Sequence, residues 1–418
     1  MSLAHPMREP DAARGAALAR AHFERGGTPA LWGRGAAAWR DAMRAELGLP
    51  ADRPVVMTGH QAGIWHAGIA EKFLLGEEVA RAIGGVLVHV VVDHDLNDAA
   101  LVAYPALVDG RLARLALERS PRAAAGTPNA LRKPVRAMRP EQRHEVPAAI
   151  EPALARTEAA IRAEFGRGNL AMQMAHAANR LLEPHARVEH TIAATTIARL
   201  PLAAAMRAEF GALRAAYNAA VAHERIAPLA ATELPFWRLE AATGTRIAFH
   251  EYSSEGMLAP RALTLTAIAR LALCDLFIHG TGGARYDLAM ERWIGDALGE
   301  ATRDALAPMA VATATRLAPI SEFVPPFDRA ATPDALRALE QDPFGDDGRS
   351  KRALRAAIAG PSAEKRAAFV VMRRAIERAR AERAPELDAL RARIAANREA
   401  LAAHALASDR AWPFPFAR

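Results

Sequence analysis

The sequence predicts an open α/β fold with a parallel sheet, and three segments carry that prediction. Residues 55–68 (VVMTGHQAGIWHAG), 86–98 (VLVHVVVDHDLND) and 274–287 (CDLFIHGTGGARYD) each end an apolar, strand-like run in a burst of Gly, His and Asp. In open parallel sheets ligands bind outside the carboxyl ends of the strands, where loops carry polar groups and helix N-termini offer unpaired N–H donors. All three bursts are expected at that end.

Taken in order, residues 1–53 read as an N-terminal helical lead-in, with Ala, Arg and Leu at helical spacing from Pro10 to about Leu47 and a break at 50–54. The first half of the core is expected over 54–119. A strand over 55–58 leads through a Gly-containing loop into a helix over about 68–83, a Gly84-Gly85 turn and a strand over 86–92, which makes a βαβ crossover. The run VLVHVVV is almost continuously apolar, as suits a strand buried on both faces. Asp109-Gly110 then marks a hairpin. Residues 120–230 hold few strand signals and much Ala, Arg and Glu at helical spacing, so they read as a helical insertion. The second half of the core, 231–320, opens with a hairpin around Thr243-Gly244, followed by a helix over RALTLTAIARLAL, a strand in DLFIHG and a helix over ARYDLAMERWIGDALGE. Residues 321–418 read as a C-terminal helical region. Leu387, Leu390, Ile394 and Leu401 approximate heptad spacing, and Phe369, Met372 and Ile376 lie on a preceding helix with Pro385 between. This pattern predicts a helical hairpin or coiled-coil arm, with one helix packed on the core as the alternative.

A chain of 418 residues exceeds the usual single domain, so a core with insertions is expected. No apolar run reaches the roughly 18–20 residues needed to cross a bilayer, and the opening MSLAHPMREPDAARG lacks a signal-peptide hydrophobic region. A cytoplasmic enzyme is the expectation. The one cysteine, Cys274, excludes an internal disulfide and a Cys-rich zinc site, and its apolar surroundings read as those of an inert core thiol. A net charge of +7 and a pI near 10.1 suggest nucleic acid. Only Lys72, Lys133, Lys351 and Lys365 are lysines among the 54 basic residues, however, and the arginines are scattered among Asp and Glu. That matches a GC-rich coding sequence rather than a nucleic-acid footprint.

Thr58, Gly59, His60 and Gln61 are expected in the turn after the first strand, and Gly63 and Gly68 let the backbone pass close to a ligand. Such a loop can offer N–H groups to phosphate or carboxylate while His60 and His66 act as acid, base or donor; the plainer alternative is a polar turn with one satisfied histidine. Neither a Walker loop nor a GxGxxG fingerprint is present. Lys72 reads as a solvated lysine of the next helix. Asp93, His94 and Asp95 close the second strand, and alternation would put both carboxylates on one face with His94 pointing away. A carboxylate there can orient a substrate amine or a ribose hydroxyl, or simply cap the following helix. After the third strand comes HGTGG, with His279, Gly280, Gly282 and Gly283, and then Arg285, Tyr286 and Asp287. Successive glycines permit an anion-binding nest and Arg285 offers a bidentate fork for carboxylate or phosphate, unless it pairs only with Asp287. The set His60, His66, Asp93, His94, Asp95 and His279 has ligand types suited to zinc, manganese or iron, but no HExxH pair fixes a geometry, and no metal site is assigned. Lys351 in GDDGRSKR reads as part of a solvated loop.

Together TGHQAGIWHAG, VVVDHDLND and LCDLFIHGTGGARYDLAMERWI resemble segments of the cysteine-adding enzyme of bacillithiol biosynthesis, the bacillithiol synthase family. That family carries a TGQQ-type loop, an EDHD-type segment and a HG-x-GGA-[RK]-YD segment in the same order. The resemblance implies a Rossmann-like, nucleotidyltransferase-like core with a helical connecting insertion and a C-terminal coiled coil. It also implies an enzyme that joins cysteine to a glucosaminyl malate-like acceptor through an amide. By the same resemblance His60 and Gln61 take the paired-Gln positions, Asp93, His94 and Asp95 the acidic segment, and residues 279–287 the glycine-rich segment. Two differences stand out: His60 replaces a glutamine, and Val92 stands where the family has an acidic residue.

The leading expectation is thus a ligase-like enzyme that adds cysteine or a related amine to a sugar-linked acceptor in low-molecular-weight thiol biosynthesis. Arg285 and the glycine-rich turn would hold an anionic group, Asp93 or Asp95 would anchor the amine, and His60 or His94 would move the proton. ATP or ADP ranks ahead of a metal as cofactor. The alternatives are a metal-dependent hydrolase using the His and Asp cluster and a non-enzymatic scaffold acting through the helical arm. A homodimer through that arm is expected, with neither nucleic acid nor membrane as partner.

Overall fold

Valine-rich runs seed the sheet because β-branched side chains fit a pleated surface covered on both sides. The computed structural model describes residues 6–26, 29–117, 126–136, 139, 144–222, 224, 226–254, 256–346, 348–356, 358 and 362–417. The first five residues of the predicted lead-in and the start of the predicted insertion lie outside the described residues. Two compact units are present: Met1–Val108 with Arg114–Pro319 and Asp409–Arg418, and Asp109–Ala113 with Ile320–Ser408.

The first unit holds the sheet. A short strand, β1 (Met7–Glu9), precedes helices α1 (Ala12–Arg25) and α2 (Ala36–Leu47), and then β2 (Val55–Gln61), α3 (Ala67–Ile83) and β3 (Val86–Val92) follow. Next in the chain come β4 (Val102–Val108) and β5 (Arg111–Leu117), with Asp109 at φ 51° and Gly110 at φ 73° in the turn that Asp-Gly predicts; residues Asp109–Ala113 of this hairpin are counted with the second unit. Helices α4 (Glu151–Ala163) and α5 (Leu170–Leu182) lead to β6 (His190–Ala193), α6 (Ala194–Ile197), α7 (Pro201–Ala208) and α8 (Phe210–Val221). A small antiparallel sheet, β7 (Glu233–Glu240), β8 (Thr245–His250) and β9 (Met257–Pro260), precedes α9 (Ala262–Ala272), β10 (Leu276–His279), α10 (Thr281–Leu298), α11 (Glu300–Asp304) and β11 (Met309–Thr313).

The main sheet runs β1-β11-β10-β2-β3-β6, and every pairing is parallel except that of β1. Numbered by chain order, its parallel strands read 3-2-1-4-5. Order therefore reverses between β2 and β10, which makes that crevice the topological switch point. Met57, Val88, Val90 and Phe277 face a core completed by Met206, Phe210, Ile268 and Trp293 from α7 to α10. The opposite face takes α1 and α3: a Cβ on Gly76 of α3 would lie 2.6 Å from Leu87 and 3.5 Å from Ile278, so only glycine lets this helix approach so closely. At the amino ends of the strands Asp275 is fully buried. It accepts from Arg44 Nη2 at 2.7 Å and from Val55 N at 2.8 Å, and lies 3.0 Å from His22 Nδ1. Burial by itself would push its carboxyl up, but His22, Arg44 and the Val55 amide hold it below its ordinary value.

Several expectations need correction. The lead-in is two helices and an antiparallel edge strand, since Gly26 leaves helix α1 in the left-handed conformation at φ 83°. Residues 120–230 are not purely helical, because β6 within them is a strand of the main sheet. Its sequence, HTIA, is too short to show a period. β11 and β9 were equally unpredicted. The second unit contains α12 (Pro333–Gln341), α13 (Arg349–Ala356), α14 (Ser362–Glu382) and α15 (Ala384–Ala407). Leu387 and Leu390 are buried and Ile394 and Leu401 half-buried, whereas Phe369 is 51% exposed. Lys351 lies on α13 rather than in a loop. Asp275→Ala leaves Arg44 buried without its carboxylate, so unfolding free energy in urea is expected to fall by about 3–5 kcal/mol.

Candidate functional site at the strand switch point

The carboxyl ends of β2, β3 and β10 lie together, as parallel pairing demands. On the face shared by Gly59, Val90 and Phe277, a cavity of about 170 Å³ opens between these strands, α9 and the start of α10. Its walls are mainly apolar, with Val92, Leu263 and Leu265 prominent, and His94, His279 and Tyr286 add polar groups.

His279 ends β10 and turns toward α10. Its Nε2 lies 3.3 Å from Asp287 Oδ2, without hydrogen-bond geometry. Asp287 is fully buried and paired with Arg270, whose remaining donors reach Glu291 Oε1 at 2.7 Å and the Ala307 carbonyl at 2.7 Å. A Cβ on Gly283 would fall 2.8 Å from His279 Nδ1, so glycine at this position is what permits the imidazole to pack on the helix. The predicted nest is not formed: Gly280 is the extended N-cap of α10, at φ −83°, and Gly282 and Gly283 are its first helical turn. Nor does Arg285 enter the site. Its side chain is 69% exposed and pairs with Glu224 Oε2 at 3.2 Å, because a residue one turn into the helix points away from the strand end. Tyr286 reaches the cavity and stays partly exposed.

The DHD segment also departs from alternation, since β3 ends at Val92 and a turn begins at Asp93. Asp93 is fully buried and accepts from Thr195 N at 3.1 Å and Thr195 Oγ1 at 2.5 Å. It ties the end of β3 to α6, directly after β6, and both of its carboxylate oxygens are engaged there. Asp95 lies 3.5 Å from Arg246, which also donates to the His94 carbonyl at 3.1 Å and sits over the Trp237 ring. Only His94 of the three lines the cavity, and its Nδ1 has no hydrogen-bond partner among the described residues.

β2 runs three residues further than its sequence suggested, so His60 and Gln61 are strand residues rather than turn residues. Alternation then sends His60 to the face opposite the cavity, which removes it as the proton carrier for that cavity. There it meets the edge of Trp65, which stacks on Phe73 and abuts His89. Burial and the neighbouring Lys72 push His60 down to about 3, and burial pushes His89 down to about 3 as well. Thr58 is buried and donates to the Ile278 carbonyl at 2.9 Å, and the Gln61 carbonyl accepts from Trp65 Nε1 at 2.7 Å. Gly63 adopts φ 151°. His66 caps α3 by accepting from Gly68 N at 3.1 Å, and Phe414 N donates to the Trp65 carbonyl at 2.6 Å. A Cβ on Gly68 would meet the Ala314 carbonyl at 2.9 Å, so this glycine serves helix packing, not ligand approach.

Lys72 reverses its sequence reading. It is buried, donates to the Gly59 carbonyl at 2.5 Å, and is pushed down to about 7 by burial. The residues missed from sequence are Lys72, Arg270, His89 and the cavity walls of α9. Only His89 left a signal, as a polar residue inside a valine run. The six-residue metal set is dispersed over two faces, and no group of three or more His, Cys, Asp or Glu suited to a metal ion occurs among the described residues. Burial pushes the Cys274 thiol up, in keeping with an inert thiol.

No protein-family model and no curated protein matches the chain. The fold is α/β, with a mostly parallel sheet and a cavity at its strand switch point. No described helix is long and apolar enough to cross a membrane.

Two pH effects follow from the buried bases. Unfolded imidazoles titrate near 6.5, so the unfolded chain binds more protons than the folded one between pH 6.5 and about 3. The contribution of His89 is present above that window and lost as pH falls through it, at about 1.4 kcal/mol per pH unit. Urea unfolding of wild type and His89→Asn from about pH 7 to about pH 5 should show the variant losing this part of the slope. Lys72 acts the same way higher up: its share of stability is full above 10.5 and lost as pH falls toward about 7. In Lys72→Met the rise in melting temperature across that window is expected to flatten relative to wild type.

Proposed function

We propose that this chain is a ligase-like enzyme on a Rossmann-like, nucleotidyltransferase-like core, which adds cysteine or a related amine to a sugar-linked acceptor in low-molecular-weight thiol synthesis. The observation that carries the reading is the meeting of His94 and His279 in one cavity at the switch point, with Asp287 and Arg270 behind His279. Asp287 Oδ2, 3.3 Å from His279 Nε2, stands behind the imidazole and supports the position of the ring in this reading. In the proposed step an amine nitrogen attacks an activated acyl carbon and forms the C–N bond. The carbon–leaving-group bond breaks, and His279 takes the proton that the nitrogen sheds. His94 then steadies the acyl oxygen or its leaving group. Asp95, the neighbour of His94 in the chain and 3.5 Å from Arg246, is the amine anchor in this reading. The family resemblance of the three segments supplies the substrate pair; the geometry supports acid–base chemistry on a compact substrate. The reading includes a cytoplasmic homodimer joined through the helices of the second unit.

The test is incubation with cysteine, glucosaminyl malate and ATP or ADP, with mass spectrometry of the products. An amide product is expected from wild type. His279→Ala and Asp287→Asn should retain their circular dichroism and lose turnover by about 10²-fold or more, the usual scale of general acid–base catalysis. Stabilisation by zinc or manganese alone, with no amide product, would sink this reading and favour a hydrolase.

A further inference from the structure

We infer that Trp237 and the two arginines stacked on it form a clamp that sets how far apart two walls of the cavity stand, with Arg246 as the positioning residue for His94. The inference takes the cavity of the reading above as the binding site and does not depend on the reaction assigned to it.

The strand wall of the cavity is fixed by the main sheet. The turn after β3, which brings His94, and the start of α9, which brings Ala262, Leu263 and Thr266, lie outside that sheet and need another tie. The antiparallel sheet supplies one. Trp237 of β7 stands opposite Ala248 of β8 and Ala259 of β9. Residues two apart on a strand share a face, so Arg246 of β8 and Arg261, two beyond Ala259, lie on the face of Trp237, diagonally to either side of it. Their guanidinium carbons stand 4.6 and 3.9 Å from the ring centroid, within the range of cation–π attraction. Two cations on one ring would repel, but each has its own carboxylate: Asp95 lies 3.5 Å from Arg246, and Glu233 pairs with Arg261.

Each arginine holds one wall. Arg246 Nη1 donates to the His94 carbonyl at 3.1 Å, whereas the carbonyls on either side are held from elsewhere, that of Asp93 by Ala130 N at 2.7 Å and that of Asp95 by Asn129 N at 3.2 Å. The His94 ring adds little anchorage of its own, since Nδ1 has no hydrogen-bond partner among the described residues and stands 3.9 Å from Asp93 Oδ1. Arg261 is the N-cap of α9, and its N–H donates to the Pro235 carbonyl at 2.9 Å. A shift of the indole therefore moves both walls. His279, set by the parallel pairing of β10, stands outside the clamp.

The test follows the His94 and His279 imidazole resonances of the full-length protein, assigned with His94→Gln and His279→Gln, in the free state and with benzene as the cavity probe. In Arg246→Met and Trp237→Leu the His94 resonance is expected to move while that of His279 stays in place. Benzene affinity is expected to fall by about tenfold, the scale of one methylene contact in an apolar pocket. Trp237→Phe keeps a ring for the guanidinium groups and should hold both readouts near wild type. Should Arg246→Met not fold, Arg246→Lys keeps the charge without the planar fork and is expected to displace His94 in the same selective way. An unmoved His94 resonance in these variants, or equal displacement of His94 and His279, overturns the inference. The free-state resonances decide the clamp even where benzene does not bind. Amide formation by wild type with His94 unmoved in the variants sinks the clamp and keeps the ligase; a displaced His94 with no amide product from wild type does the reverse.

Discussion

A single carboxylate, Asp275, fixes where the two halves of the sheet meet. It stands at the foot of β10, bonded to the backbone N–H that opens β2 and to Arg44 of α2, with His22 of α1 beside it. Buried charges are tolerated only when paired and hydrogen-bonded, and here the pairing draws in two strands and two helices distant in sequence. β2 and β10 are therefore neighbours at their amino ends. Because they are parallel, their carboxyl ends also emerge side by side, and the crevice between those ends is the switch point.

The site then follows from period-two geometry. Gly59 faces the cavity, and His60, one residue on, faces Trp65 and His89 on the other side of the sheet. The sheet thus separates two chemistries. One face carries a compact apolar cavity with His94 and His279; the other carries a tightly packed set of rings beside buried Lys72, whose basic groups burial holds well below their ordinary range. Charge is kept beside the cavity rather than in it. Asp287 is neutralised by Arg270, and Asp93 is occupied by Thr195, so the ionisable groups that line the cavity are the two imidazoles and the Tyr286 phenol.

Much of this was legible beforehand where local rules are strong. The valine runs of β2 and β3, the Asp109-Gly110 turn and the helix over residues 262–272 were readable because periodicity and turn chemistry act over a few residues. β6 was not, since four residues cannot display a period. Residue roles were harder still. Arg285 looked like an anion clamp because arginine beside glycines often is one, but the helical phase carries it out to Glu224. Lys72 looked solvated because an isolated lysine in an amphipathic helix usually is, and nothing local announces that its helix lies flat on the sheet.

By itself the sequence determined that this protein forms parallel α/β units whose polar bursts cluster at one end of the sheet, because hydrophobic period and glycine placement act locally. Only the tertiary structure decided which side chains share a cavity, which are paired, and which lie on opposite faces. Strand order and helical phase place each side chain, and buried pairing of groups such as Asp275 with Arg44 and Asp287 with Arg270 joins residues that no local pattern connects.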